Sequence, residues 1–186
     1  MNMGGPNNIN EVKLFLKNMF NDKYIIGAPQ PIRAMIGQII IFKRLKESQE
    51  NYHKLGGMSP IVGHTKRLLR RLNKELDADV FYEMRYTPPF ASDLMPKLKN
   101  YDEIYAIPMY PHYSSTTTKS SIEEFVKVAK KHNLDKKIKT IDSYYDNKLY
   151  NKAIVERIKE ALKDEDSENF ELIFSAHGLT KKIIDK

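Results

Sequence analysis

Residues 103–141 read EIYAIPMYPHYSSTTTKSSIEEFVKVAKKHNLDKKIKTI. Glu103–Met109 is short, apolar and rich in strand-forming types, which predicts a strand. A polar loop, Tyr110–Ser121, follows, and Ile122–His132 then has helical spacing. Lys137–Ile141 predicts a second strand. Strand, helix and strand in one short stretch form a βαβ unit, and such units build parallel sheets.

The same alternation extends outward. Upstream, Val80–Tyr86 predicts another strand, stopped by Thr87-Pro88-Pro89, and Ser92–Leu98 a short helix. The N-terminal part is helical. Asn7 or Asn8 can cap a first helix, with Glu11 placed for a capping box and Val12, Phe15, Leu16 and Met19 on one face. A second helix follows Pro31 through Ile32, Met35, Ile36, Ile39, Ile40 and Leu45 and ends at Gly56-Gly57. Ser59-Pro60 opens a third, through Leu68, Leu69 and Leu72. Downstream, Leu149–Leu162 predicts a helix with apolar residues at 154, 155, 158, 161 and 162. Phe170–Ser175 predicts a fourth strand. Residues 163–169 (KDEDSEN) have linker composition. The turn Gly4-Gly5-Pro6 has only three residues before it, and residues 181–186 stop inside a predicted helix, so the expectation is a piece of a longer protein.

Composition narrows the function classes. Hydrophobic residues make up 41% and charged residues 30%, as in ordinary globular proteins. Cysteine is absent from the sequence, which excludes disulfides, thiolate metal sites and cysteine-held iron–sulfur clusters within it. The net charge is +7, with basic runs at Lys66–Arg71 and Lys127–Lys139. These runs fit solvated helix faces or attraction to an anion: nucleic acid, an acidic lipid surface or a carboxylated ligand. Neither zinc-finger spacing nor an RNA-binding aromatic pattern occurs, so nucleic acid is not expected. The longest apolar run, Met35–Phe42, is interrupted by Gly37 and Gln38 and falls short of the ~18 residues of a membrane span. Without a basic-then-apolar leader, the expectation is a soluble cytoplasmic protein.

Chemistry concentrates at predicted strand ends, where open α/β sheets bind ligands. In Phe174-Ser175-Ala176-His177-Gly178-Leu179 an imidazole follows an apolar run. Imidazole is a good ligand for ferrous iron and takes up a proton near neutral pH. A histidine that only hydrogen-bonds the turn fits the spacing equally well. The loop from Tyr110 to Thr118 offers aromatics, His112 and hydroxyls that could line a flat ligand or cap the next helix; capping suits Ser120 or Ser121, and lining suits the tyrosines. Met84-Arg85-Tyr86-Thr87-Pro88 offers a guanidinium for a carboxylate and a flat ring, or a surface arginine packed on tyrosine. Gly56-Gly57-Met58-Ser59-Pro60 has the look of an anion-binding helix start but lacks the nucleotide-loop lysine. His53, His64 and His132 lack the i, i+4 partner of a zinc pair, and no carboxylate pair suggests acid–base work.

Together these stretches resemble the ferrochelatase family, in order and spacing. Met1-Asn2-Met3-Gly4-Gly5-Pro6 is similar to the family's opening after its first strand, and residues 56–60 to its GG-x-SP segment. Arg85-Tyr86, Tyr110-Pro111-His112-Tyr113-Ser114 and Ser175-Ala176-His177-Gly178-Leu179 resemble three further motifs. The resemblance covers essentially the whole chain. It implies an α/β fold: a parallel-sheet, Rossmann-like chelatase lobe with flanking helices over residues 1–165, its first strand missing, and the truncated start of a second similar lobe at 166–186. It implies insertion of Fe2+ into protoporphyrin IX to make haem, or into coproporphyrin III in some bacteria. Iron and porphyrin are then substrates and no separate cofactor is required. Peripheral membrane contact stays open. By resemblance His177 is the catalytic and metal-meeting histidine, and Met3, Arg85, Tyr86 and Tyr110 lie near the macrocycle. Arg44, Tyr52 and Ser59 match positions assigned to the porphyrin propionates in some members.

The sequence departs from the family in places. Lys119 stands where glycine is usual, Thr180 where proline is usual, and Glu47 where some members carry a propionate-binding lysine. The second-lobe glutamate that faces the histidine has no counterpart here. Two alternatives remain: a chelatase for cobalt or another metal acting on a different tetrapyrrole, and a non-catalytic porphyrin-binding module.

Overall fold

A computed structural model describes residues 1–163, 170–179 and 181. The first helical unit begins with a 3-10 turn at Ile9–Glu11 and continues as α1, Val12–Phe20. Asn8 is the cap: its side chain accepts hydrogen bonds from the Asn10 and Glu11 N–H groups. Glu11 answers by accepting from the Asn7 N–H at 3.0 Å. Both interactions satisfy amide groups that the first helical turn leaves unpaired. α2 spans Gln30–Lys54 and α3 Pro60–Glu75. Between them Gly57 N–H reaches the Tyr52 carbonyl at 2.8 Å and Gly56 N–H the His53 carbonyl at 3.0 Å. Both glycines have φ near +90°. This is the paired closure that ends a helix on left-handed residues. The glycine pair therefore serves the end of α2. Ser59 caps α3, its Oγ accepting from the Ile61 N–H at 3.4 Å, so the segment joins two helix caps.

The remaining elements are α4 (Ala91–Leu98), β1 (Ile104–Ala106), α5 (Ser120–Lys130), β2 (Ile138–Thr140) and α6 (Lys148–Leu162). β1 and β2 pair in parallel, Ile104 opposite Ile138 and Ala106 opposite Thr140. The fold is α/β, with its βαβ unit where the sequence places it.

Backbone hydrogen bonds carry the parallel arrangement past β1. Met1 N–H donates to the Ile107 carbonyl at 2.8 Å, and Met109 N–H to the Met1 carbonyl at 2.8 Å. On the other side Asn2 N–H donates to the Glu83 carbonyl, while Arg85 and Tyr86 N–H groups donate to Asn2 and Met3 carbonyls. The spatial order is residues 83–86, residues 1–3, β1 with its extension to Met109, then β2. The connection from residues 1–3 runs to residues 83–86 on one side, and the next runs back across to β1 on the other, which defines a switch point of the kind where α/β sheets bind ligands. Val80–Tyr86, predicted as a strand, forms only an isolated parallel bridge at Met84. Backbone pairing with residues 1–3 is confined to residues 83–86, and Val80–Tyr82 has no ladder partner among the described residues.

Two apolar clusters flank this sheet. Ala91, Leu94, Met95 and Leu98 of α4 and Phe125 and Ala129 of α5 pack on Ile104 and Ala106. Val12, Phe15 and Leu16 of α1 and Ile41 of α2 pack on Tyr86, with Met3, Leu45 and Tyr52 beside them. α2 buries Gly37 and Ile41 against α1, leaving the predicted apolar positions Ile32, Met35 and Ile39 exposed. A single covering helix hides only one stripe of a helix this long.

Phe170–Ser175, predicted as the fourth strand, is not paired with any described segment, and Ile173 and Phe174 are 88% and 76% exposed. A strand exists only through a partner's ladder, and among the described residues none is offered. The linker residues 164–169, the boundary at 165/166, Thr180 and most of the C-terminal helix prediction lie outside the described residues.

Candidate active site

The carboxyl ends of residues 1–3, residues 83–86 and the β1 extension lie side by side, and each is followed by a turn of distinctive chemistry. Gly4 has φ +85°, and a Cβ there would lie 2.5 Å from Thr87 Oγ1. The next N–H, of Gly5, donates to that same Thr87 hydroxyl at 3.1 Å. A Cβ on Gly5 would meet Ser59 Cβ and Oγ at 2.5 Å, and Ser59 N–H donates to the Pro6 carbonyl at 2.8 Å. The paired glycines thus let the Thr87 turn and the start of α3 close on the opening segment, which only residues without side chains permit.

Behind the second of these strand ends lies a buried polar knot. Asp22, just past α1, has a side chain 1% exposed. Its Oδ2 accepts from Arg85 Nη2 at 3.1 Å, from the Tyr86 hydroxyl at 2.8 Å and from the Ser120 hydroxyl. Its Oδ1 accepts from the Tyr24 N–H at 2.8 Å. Arg85 Nε donates to Ser120 Oγ at 3.0 Å, closing a ring of three side chains. The guanidinium lies over the Tyr86 ring, 5.1 Å from its centroid, and Asn18 Nδ2 donates to the Tyr86 carbonyl at 2.9 Å. Burial, and then the neighbouring Asp22 charge, push the Tyr86 hydroxyl far above the usual tyrosine range. It is a fixed donor at physiological pH.

A cavity of about 370 Å³ opens beside the knot. Glu83, Arg85, Ser121 and Glu124 supply polar groups to it, and Phe90 and Phe125 apolar ones. Glu83 is buried, and its Oε1 has no hydrogen-bond partner among the described residues. Burial pushes its carboxyl from 4.5 up to about 7, against the pull of the Met1 ammonium and Arg85. Tyr110 sits at the third strand end, its hydroxyl 3.4 Å from Ser121 Oγ. Burial pushes that hydroxyl far up as well. Among the described residues no three His, Cys, Asp or Glu side chains gather to hold a metal ion, and no helix is long and apolar enough to cross a membrane.

The predicted site residues divide into groups. Met3, Arg85, Tyr86 and Tyr110 come together at adjacent strand ends, with Tyr52 packed on the same cluster as Met3 and Tyr86. Ser59 abuts Gly5. Arg44 is exposed on α2. His177 is exposed on an unpaired segment, and no hydrogen bond or aromatic contact joins it to the other described site residues. The arginine that the sequence offers to a ligand carboxylate spends one edge on Asp22 instead. Ser120 and Ser121, expected to cap α5, lie inside its first turn, buried, bonding Asp22 and Tyr110. A π-helical turn at Ser115–Lys119 runs directly into α5, so the helix start falls before them. Sequence reasoning missed Asp22, Glu83 and Thr87. Asp22 follows a helix end in an ordinary polar run, and only the fold brings it to residues 85 and 120.

The strand order and the convergence of strand ends at its switch point define an α/β lobe built to present a ligand site along one edge of a parallel sheet. The sequence profile described as Ferrochelatase matches residues 1–186, and the chain belongs to that family. It is 50% identical over 190 residues to the ferrochelatase of a Nitratiruptor species, covering 100% of this chain and 62% of that relative. It is 48% identical over 191 residues to the ferrochelatase of Sulfurimonas denitrificans, and 45% identical over 190 residues to that of Wolinella succinogenes. In both cases all of this chain matches 60% of the relative. The chain therefore spans about 60% of the length of these curated relatives.

Proposed function

We propose that the protein to which these residues belong inserts ferrous iron into protoporphyrin IX, the last step of haem synthesis, in the cytoplasm and without a separate cofactor. One observation carries the reading: in a chain that belongs to the ferrochelatase family along all of residues 1–186, Met3, Tyr86 and Tyr110 meet at the ends of adjacent parallel segments. Residues from 166 onward open a second lobe in this reading, and the macrocycle lies between the lobes. Met3 and Tyr110 supply a shaped apolar and aromatic wall. Arg44, Tyr52 and Ser59 suit the propionate edge, since guanidinium and hydroxyl groups both donate to carboxylates. Arg85 and Tyr86 back the wall as a fixed unit. Peripheral contact with a membrane is compatible with the exposed apolar stripe of α2.

Two pyrrole protons leave the porphyrin as its four nitrogens take up Fe2+. A base near the ring centre assists that loss, and imidazole suits it because it can accept a proton near neutral pH. His177 takes this role, holding iron or accepting protons, paired with a carboxylate of the second lobe. The test is anaerobic incubation of the full-length protein with Fe2+ and either protoporphyrin IX or coproporphyrin III, following the loss of free-porphyrin absorption. Haem formation is expected. Preference for cobalt and a corrin precursor, or porphyrin binding without metal insertion, overturns the proposal.

A further inference from the structure

We infer that Asp22 is the positioning residue of this site, holding Arg85 and Tyr86 in register with Met3 at the strand ends. The inference rests on the chelatase reading for its functional consequence and on geometry for its substance. Asp22 lies in the connection after α1, Arg85 and Tyr86 end the 83–86 segment, and Ser120 begins α5. One carboxylate oxygen gathers donors from residues 63, 64 and 98 positions away in sequence. The other oxygen is held by the backbone of Tyr24. The carboxylate cannot rotate without breaking a bond on each side.

The consequence passes directly to the ligand edge. Tyr86 N–H donates to the Met3 carbonyl at 3.0 Å, so a ring anchored through its hydroxyl fixes the backbone beside Met3. Arg85 is held at Nε by Ser120 and at Nη2 by Asp22, which sets the plane of its guanidinium. Its side chain is 19% exposed, and Arg85 lines the cavity together with Glu83 and Ser121. Outer bonds brace the same loop: Lys23 Nζ lies 2.9 Å from Glu123 Oε2, and the Tyr24 hydroxyl donates to the other Glu123 oxygen. Asp22 touches no proposed substrate atom, and its effect passes through its neighbours.

A buried carboxylate paired with arginine could serve stability alone, because removing either partner strands a charge. Comparing Asp22→Asn, Arg85→Gln and the double variant in the full-length protein separates the two roles. Asp22→Asn is expected to lower the melting temperature and to cut kcat/KM for iron insertion by between about 10- and 100-fold, as small misplacements do. The double variant leaves no stranded charge and is expected to regain the melting temperature but not the rate. Recovery of both overturns the inference, because Asp22 would then only neutralise Arg85. A second measurement needs no turnover: hydrogen exchange of the Arg85 Nε–H, identified by its loss in Arg85→Gln. That exchange is expected to be slow in the wild type and to quicken by about 10-fold or more in Asp22→Asn, as a hydrogen-bonded group is released. Unchanged exchange overturns the inference whatever the activity. Quickened exchange with an inactive wild type leaves the positioning intact and fails the chelatase reading instead.

Discussion

Glu83 should make the protein less stable as pH rises from about 4.5 to about 7, and Glu83→Gln should remove that loss. The carboxyl is 4% exposed, one oxygen lacks a partner among the described residues, and burial moves its titration from 4.5 to about 7. The folded state therefore keeps a proton that the unfolded chain has already released, and stability falls with pH across that interval. Below about pH 4.5 both states hold the proton and the effect vanishes. Above about pH 7 neither does, and the full cost of a buried charge is present. At about 1.4 kcal/mol per pH unit the loss totals ~3 kcal/mol. Where residue 1 carries a peptide bond in place of an ammonium, one charge favouring the carboxylate disappears, which enlarges the effect and keeps its sign. Glutamine keeps the shape and is neutral throughout. Chemical unfolding of the wild type and Glu83→Gln from pH 4 to 8 measures the difference, other titrating groups cancelling between the two. The variant should match the wild type near pH 4 and exceed it by about 2–3 kcal/mol near pH 8. A pH-independent difference, or a variant weaker at pH 8 than at pH 4 relative to the wild type, refutes the assignment of a buried, unpaired carboxyl.

Two further outcomes test the proposed site. Gly4→Ala must place a Cβ 2.5 Å from Thr87 Oγ1 at φ +85°, combining left-handed strain with a clash, and should cost about 2–4 kcal/mol of stability in chemical unfolding; a loss under about 1 kcal/mol would mean that the Thr87 turn yields freely. His177→Ala in the full-length protein should abolish most iron insertion while moving the melting temperature little, since the side chain is exposed in the described structure; near-wild-type turnover removes His177 from the chemistry.

The sequence is most informative where local pattern and fold agree. The βαβ unit was legible because strand and helix periods change within residues 103–141, and the structure pairs β1 with β2 in parallel. The Asn8 and Ser59 caps were legible because a polar side chain at a helix start has few other uses. Val80–Tyr86 has strand composition, but composition does not say which part of an apolar β-prone run finds a partner, and pairing is confined to residues 83–86. The apolar stripe of α2 was legible as helical but not as exposed, since periodicity does not say which stripe is covered.

The site divides along the same line. Short motifs such as Arg85-Tyr86 mark where chemistry can sit, but their meaning depends on partners far along the chain. Alone, an arginine before a tyrosine at a strand end suggests a group reaching for a ligand carboxylate. The fold supplies a carboxylate of its own, Asp22, and turns part of the guanidinium inward. Ser120 changes meaning in the same way, from a helix cap to a bridge between Arg85 and Asp22. These side chains bury a charge that costs several kcal/mol to desolvate unless every donor is matched. Here the matching donors come from the connection after α1, the 83–86 segment and α5, parts of the fold that also form the edge where Met3 and Tyr110 lie. Because one carboxylate joins all of these donors, losing Asp22 should disturb the ligand edge through Tyr86 and Met3 even though Asp22 itself never reaches it.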